Sequence, residues 1–170
     1  MTNLLTRLGA AVLVLGLGSV DALAADFASG PTKISPLLLG TALPDAAVQR
    51  LDGTATTLKQ VVGGKPAVLV FYRGGWCPYC NLQLSQLRLV EKDLQSLGYQ
   101  VVAISPDRPE ELKKTLDKDA LNYTLVSDSS ANAMKAFGLA YQVDAATLAQ
   151  YAKYGIDLEK SSGESHHLLP

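Results

Sequence analysis

The chain has 170 residues, with 15 lysines and arginines against 16 aspartates and glutamates and a formal charge of −1. Its apolar share of 48% and charged share of 18% are those of an ordinary globular protein, and the length suits one folded domain. So even a charge balance, with no long run of either sign, excludes nucleic acid and an anionic membrane surface as expected partners.

In chain order, residues 1–24 have the three parts of a secretory signal peptide. Arg7 supplies the positive end, Leu8 to Val20 an apolar run shorter than the ~20 residues that span a bilayer, and Ala22-Leu23-Ala24 small residues for cleavage. A mature chain starting at Ala25 is expected, exported to a compartment such as the bacterial periplasm and without a membrane span. A retained anchor is the alternative, weakened by Asp21 and the glycines within the run.

Residues 25–43, rich in small residues, glycine and proline, read as an irregular lead-in with an apolar patch at Leu37 to Leu39. The domain proper is expected over 44–170. Val48 and Leu51 before Asp52-Gly53 suggest a short hairpin, and Thr57 to Val62 a short helix closed by Gly63-Gly64. Ala67 to Tyr72 is a continuous apolar run that fits a strand buried on both faces, expected at the centre of the sheet. A long helix follows from about Pro78 to Leu97, with Leu87, Val90, Leu94 and Leu97 on one face, ended by Gly98. Gln100 to Ser105 reads as a strand, and Pro109-Glu110-Glu111 opens a helix with proline and acids in its first turn. A strand at Tyr123 to Val126 and helices at Ala131 to Phe137 and Ala145 to Tyr154 complete the pattern. Strands alternating with helices imply an α/β fold with a largely parallel sheet.

Cys77 and Cys80 are the only cysteines. An oxidising compartment usually makes paired cysteines into staples, but a bond across three positions closes too small a loop to stabilise much, so this pair reads as a switch. Placed at the start of a helix after a buried strand, the first thiol meets unpaired amides and the positive end of the helix dipole, which favour a thiolate. Cys77 is then the attacking group and Cys80, one turn on, resolves it. Pro78 suits the first helical position, Trp76 and Tyr79 offer aromatic surface for docking or packing, and Arg73 is close enough to favour a thiolate or to be a solvated charge.

The segment Phe71-Tyr72-Arg73-Gly74-Gly75-Trp76-Cys77-Pro78-Tyr79-Cys80 resembles the active-site segment of the peroxiredoxin-like branch of the alkyl hydroperoxide reductase and thiol-specific antioxidant family. Val101 to Ser105, Leu125 to Asp128 and Ala136-Phe137-Gly138 resemble later parts of the same domain. The resemblance implies the thioredoxin fold in its peroxiredoxin-like variant, and a thiol-dependent peroxidase reducing hydrogen or organic peroxides. It further implies a Cys77–Cys80 disulfide in turnover, reopened by a dithiol reductant of the thioredoxin type, with no cofactor and no metal. In the family register Cys80 takes the place of the peroxide-attacking cysteine and Cys77 that of a threonine or serine, which reverses the roles given by helix-start electrostatics. Arg73 stands where the family has a proline. Family members continue past Leu168-Leu169-Pro170 into a cis-proline loop, two strands and a last helix, so the resemblance implies a C-terminally incomplete domain lacking them.

Two further functions compete: dithiol–disulfide exchange with disulfide-bearing protein substrates, and copper handling through the two thiolates and a distal histidine, for which two intervening residues instead of three are a poor match. His166-His167 reads as a solvated tail, since adjacent side chains of an extended segment point apart and do not share an ion easily. Export with cleavage predicts a mature protein whose first residue is Ala25. N-terminal sequencing of periplasmic material checks this, and an intact Met1 in the membrane fraction would indicate the retained anchor.

Overall fold

The computed structural model describes residues 26–119 and 122–170, so the expected leader at 1–24 lies outside the described residues. The hairpin forms as expected: β1 (Ala47–Gln49) pairs antiparallel with β2 (Ala55–Thr57), and the Asp52 carboxylate accepts the Thr54 N–H in the turn. Thr57 and Gln60 form a reciprocal capping box at the start of α1 (Leu58–Val62), which Gly63 ends in a left-handed conformation. Then come β3 (Ala67–Phe71), α2 (Pro78–Ser96), β4 (Gln100–Ser105), α3 (Pro109–Asp119), β5 (Thr124–Ser127) and α4 (Asn132–Ala136). The sheet order is β2-β1-β5-β4-β3, with β3, β4 and β5 parallel.

Alternating residues of the parallel strands build two core layers. Val102 and Ile104 of β4 and Val126 of β5 join Leu58, Val62 and Ala133 under α1 and α4. Val101, Ala103 and Leu125 face the other way and meet Leu84 of α2, Leu112 of α3, Tyr72 and Tyr123. This is the two-sided cover that a parallel sheet requires. The expected central position of Ala67 to Tyr72 is corrected: β3 ends at Phe71 and lies at the edge of the sheet, paired with β4 alone among the described residues. Leu69 and Phe71 pack into one layer and Val70 into the other, so both faces are covered. An apolar run reports cover on the faces of a strand and carries no information on whether a neighbour pairs with its edge.

The expected face of α2 is also corrected. The buried side carries Cys80, Leu84, Leu87, Glu91 and Leu94, whereas Val90 is exposed and Leu97 is 72% exposed. Apolar residues lie on two sides of this helix, Tyr79, Leu82, Leu89, Val90 and Leu97 being solvent-facing, and Glu91 enters the packed side with Gln95 donating to its carboxylate. Counting apolar positions therefore cannot select the register.

Beyond α4 the chain forms β6 (Tyr141–Gln142), α5 (Ala145–Lys153), α6 (Leu158–Ser162) and β7 (Leu168–Leu169); β6 and β7 pair antiparallel in a second small sheet. The lead-in is anchored here, because Ala28 donates to the Ala140 carbonyl and accepts from Gln142, and Ser35 donates to Gly138. A side chain at Gly138 would lie 1.9 Å from the Ser35 carbonyl oxygen, which explains that glycine. Leu38 and Leu39 of the apolar patch stay exposed.

The expected solvated tail is replaced by an ordered one. His166 Nδ1 accepts the Leu168 N–H at 2.9 Å while its Nε2 donates to the Ser129 carbonyl at 2.7 Å, and His167 Nε2 lies 2.9 Å from Glu159. The two rings do point apart, each to its own partner. The α2 register predicts that Leu84→Ala costs about 2–5 kcal/mol in urea unfolding, whereas Leu97→Ala stays within about 0.5 kcal/mol of the parent.

Candidate active site

The site lies where the carboxyl ends of β3 and β4 meet the start of α2. Tyr72 leaves β3 still bonded to the Ile104 carbonyl, and the chain then turns sharply through Gly74 and Gly75. Gly74 has φ +148, and a Cβ there would fall 2.3 Å from Trp76 Nε1 and 2.7 Å from Asp107 Oδ1; one at Gly75 would fall 2.0 Å from Thr115 Oγ1. Only glycine lets this loop run against α3. The Gly75 peptide is gripped from both sides: its N–H donates to Asp107 Oδ2 at 2.7 Å and its carbonyl accepts from Asn81 Nδ2 at 2.8 Å. That grip fixes the approach of Trp76 and Cys77 to the helix.

Cys77 is the N-cap of α2, with extended backbone and Pro78 in the first turn, and its sulfur accepts the Cys80 N–H at 3.3 Å. Arg73 Nη2 donates to the same sulfur at 3.3 Å. The residue is only 1% exposed. Burial alone would raise its pKa, but hydrogen bonds from the Cys80 thiol, the Cys80 N–H and Arg73 outweigh burial and hold it below the usual thiol value. Cys80 is half-buried against the Leu84 and Tyr72 layer. Burial, and then its hydrogen bond to the Cys77 sulfur, push its thiol up. The surroundings thus favour ionisation of Cys77 over Cys80, and the two sulfurs form no disulfide in this structure.

The other residues expected at the site divide. Arg73 reaches the sulfur, and its Cζ lies 5.6 Å from the Trp76 ring centroid. Trp76 turns inward, packing with Val143, Leu158 and Leu169 and lying 5.3 Å from the Tyr151 ring, so it is a wall of the site and not an open docking surface. Tyr79 is 79% exposed beside the dithiol, and Pro78 is exposed with it. Three residues escape a reading of the sequence: Asn81, Asp107 and Tyr151, whose hydroxyl accepts Arg73 Nη1 at 3.1 Å. Asp107 had a faint signal, a carboxylate just past the end of a strand next to the dithiol strand. Tyr151, 74 positions from Cys77, had none.

The sequence pattern of the AhpC/TSA family matches residues 39–159, most of the chain. The chain belongs to the AhpC/TSA family. This AhpC/TSA protein is 31% identical over 106 residues to peroxiredoxin Bcp of Escherichia coli K12, covering 62% of this chain and 67% of that one. It is 32% identical over 100 residues to the chloroplastic peroxiredoxin Q of Populus jackii, covering 59% and 46%. Among solved structures its fold is similar to peroxidoxin BcpB of Mycobacterium tuberculosis (TM-score 0.57, 24% identity, 61% and 68% covered). It is also similar to reduced Prx3 of Vibrio vulnificus in complex with hydrogen peroxide (TM-score 0.60, 20% identity, 64% and 72% covered). The fold is therefore the thioredoxin-like fold of peroxiredoxins, and the AhpC/TSA protein is an enzyme of the thiol-dependent peroxidase kind.

Asp107 gives the site a pH-dependent cost. It is 2% exposed, and burial, opposed by the Gly75 N–H and reinforced by the charge of Glu111, pushes its carboxyl up to about 7. A carboxyl raised in the folded state favours folding while it is protonated, and that contribution is lost as pH rises through the folded value. The structure predicts that the parent loses on the order of 4 kcal/mol of stability relative to Asp107→Asn between about pH 4 and pH 8. Urea melts of both proteins across that range check it; parallel curves would contradict the assignment.

Proposed function

We propose that this chain reduces hydrogen or organic peroxides through the Cys77–Cys80 dithiol, with Cys77 attacking and Cys80 resolving. The observation that carries the reading is the convergence of Arg73 and the Cys80 N–H on one buried sulfur, which favours its thiolate form. The thiolate attacks one peroxide oxygen, the O–O bond breaks, and the other oxygen leaves as alkoxide or hydroxide and takes a proton. Cys77 is then a sulfenic acid. Cys80 displaces that oxygen as water, forming the disulfide, and a dithiol reductant of the thioredoxin type returns two electrons and two protons. The leader at residues 1–24 supports placing this chemistry in an exported compartment.

Exchange with protein disulfides is a second reading, favoured by Tyr79 and Leu82, which stand exposed beside the dithiol and offer apolar surface to a polypeptide. The geometry gives no support to copper handling, because both nitrogens of His166 have backbone partners and His167 is bonded to Glu159.

Stopped-flow oxidation of the reduced protein by peroxide, followed by trapping of sulfenic acid, tests the main reading. Cys77→Ser is expected to react no faster than free cysteine, and Cys80→Ser to react at a near-parental rate while accumulating a trappable sulfenic acid on Cys77. Sulfenic acid on Cys80 in the Cys77→Ser protein would reverse the roles. A parent no faster than free cysteine would remove the peroxidase reading and leave disulfide exchange.

A further inference from the structure

The site contains one long-range contact that the peroxidase chemistry does not by itself require. Arg73 uses its two terminal nitrogens on different partners: Nη2 on Cys77 Sγ at 3.3 Å and Nη1 on the Tyr151 hydroxyl at 3.1 Å. A guanidinium is planar with its donors in a rigid fork, so fixing one arm fixes the direction of the other. Arginine is also long and rich in rotamers, and beside a solvent-facing loop its charge is better hydrated when it points away from the protein. Something must hold it over the sulfur. Trp76 supplies one wall, with its ring 5.6 Å from Cζ, but an aromatic face restrains distance more than orientation.

Tyr151 supplies the missing restraint, and its own position is well determined. Asp144 caps α5 through the Thr147 N–H at 2.8 Å, and the Tyr151 carbonyl accepts from Tyr154 and Ile156 where the helix ends. Its ring packs at 5.3 Å on Trp76 in the cluster formed by Val143, Leu158 and Leu169. We infer that Tyr151 is a positioning residue for the dithiol: its hydroxyl orients the Arg73 guanidinium so that the second arm of the fork donates to Cys77 Sγ. The inference rests on the reading of Cys77 as the thiolate of the pair. It also assigns a task to the segment from Asp144 to Leu169, which carries neither cysteine.

The test measures the thiolate without peroxide, by pulse alkylation of the reduced protein at graded pH, with tandem mass spectrometry to separate Cys77 from Cys80. Tyr151→Phe keeps the ring on Trp76 and deletes only the hydroxyl. It is expected to raise the alkylation midpoint of Cys77 by about 0.5 to 1 pH unit. Arg73→Ala is expected to raise it further, and adding Tyr151→Phe to Arg73→Ala to change nothing more, because the hydroxyl acts through the guanidinium. Arg73→Lys, which keeps the charge but has no fork, is likewise expected to make Tyr151→Phe silent. An unchanged midpoint in Tyr151→Phe overturns the inference, as does an equal rise with and without Arg73. So does a silent Tyr151→Phe beside a shifted Tyr151→Leu, since the ring and not the hydroxyl would then matter. A low midpoint on Cys80 instead of Cys77 overturns this inference together with the assignment of the attacking thiol. Because alkylation needs no peroxide, a protein that fails to reduce peroxide yet shows the coupled shifts supports the inference while losing the proposed activity.

Discussion

The burial of the Cys77 sulfur, on a residue 1% exposed to solvent, is the constraint on which the rest of the site depends. Burial opposes a thiolate, so Cys77 can hold one only where donors replace the water that is lost. The first turn of α2 provides the Cys80 N–H, which the helix cannot use internally, and the loop before it provides Arg73. Neither donor suffices if the loop wanders. The Gly75 peptide is therefore held by Asp107 on one side and Asn81 on the other, and a side chain at Gly74 would strike Trp76 and Asp107 while one at Gly75 would strike Thr115.

That grip has its own cost. Asp107 is buried with one oxygen on the Gly75 N–H and the other without a protein partner among the described residues, and its carboxyl is easier to keep neutral than charged. The Trp76 indole N–H is likewise unpartnered there, beside Gly74. Polar groups left in this condition destabilise a fold, and they are commonly concentrated where a site demands a fixed geometry. The second small sheet, α5 and α6 close over Trp76 with Leu169, Tyr151 and Leu158.

The two departures from the family pattern belong together. Where the resemblance to the family implies a proline and a hydroxyl residue, this chain has Arg73 and Cys77, and the structure joins them by a hydrogen bond. A thiol replacing a hydroxyl is a weak hydrogen-bonding group when neutral but a strong acceptor when ionised, and the arginine adds to the Cys80 thiol and N–H in favouring ionisation. The two residues thus form one hydrogen-bonded unit on a fold shared with proteins 20–24% identical.

Much of this was legible in the residues. The Cys-Pro-Tyr-Cys run at a helix start, the short helix closed by Gly63-Gly64 and the alternation of strands and helices are local patterns, set by hydrogen bonding and side-chain period within a few residues. Those determined the fold class and nominated both cysteines. Periodicity failed where an element has two apolar sides, as α2 does, or where composition reports faces and not edges, as in β3. It also said nothing of His166, whose neighbours come from Ser129 and Leu168. The dithiol was visible at the outset, but which sulfur its surroundings favour as the thiolate was not, because helix-start electrostatics and family register pointed to different cysteines. Only the tertiary structure shows the groups brought to Cys77 from separate segments: Arg73 from the end of β3, itself bonded to Tyr151 of α5, with Asp107 from the end of β4 holding the loop between. Charge stabilisation depends on distance in space, and distance along a chain does not reveal it.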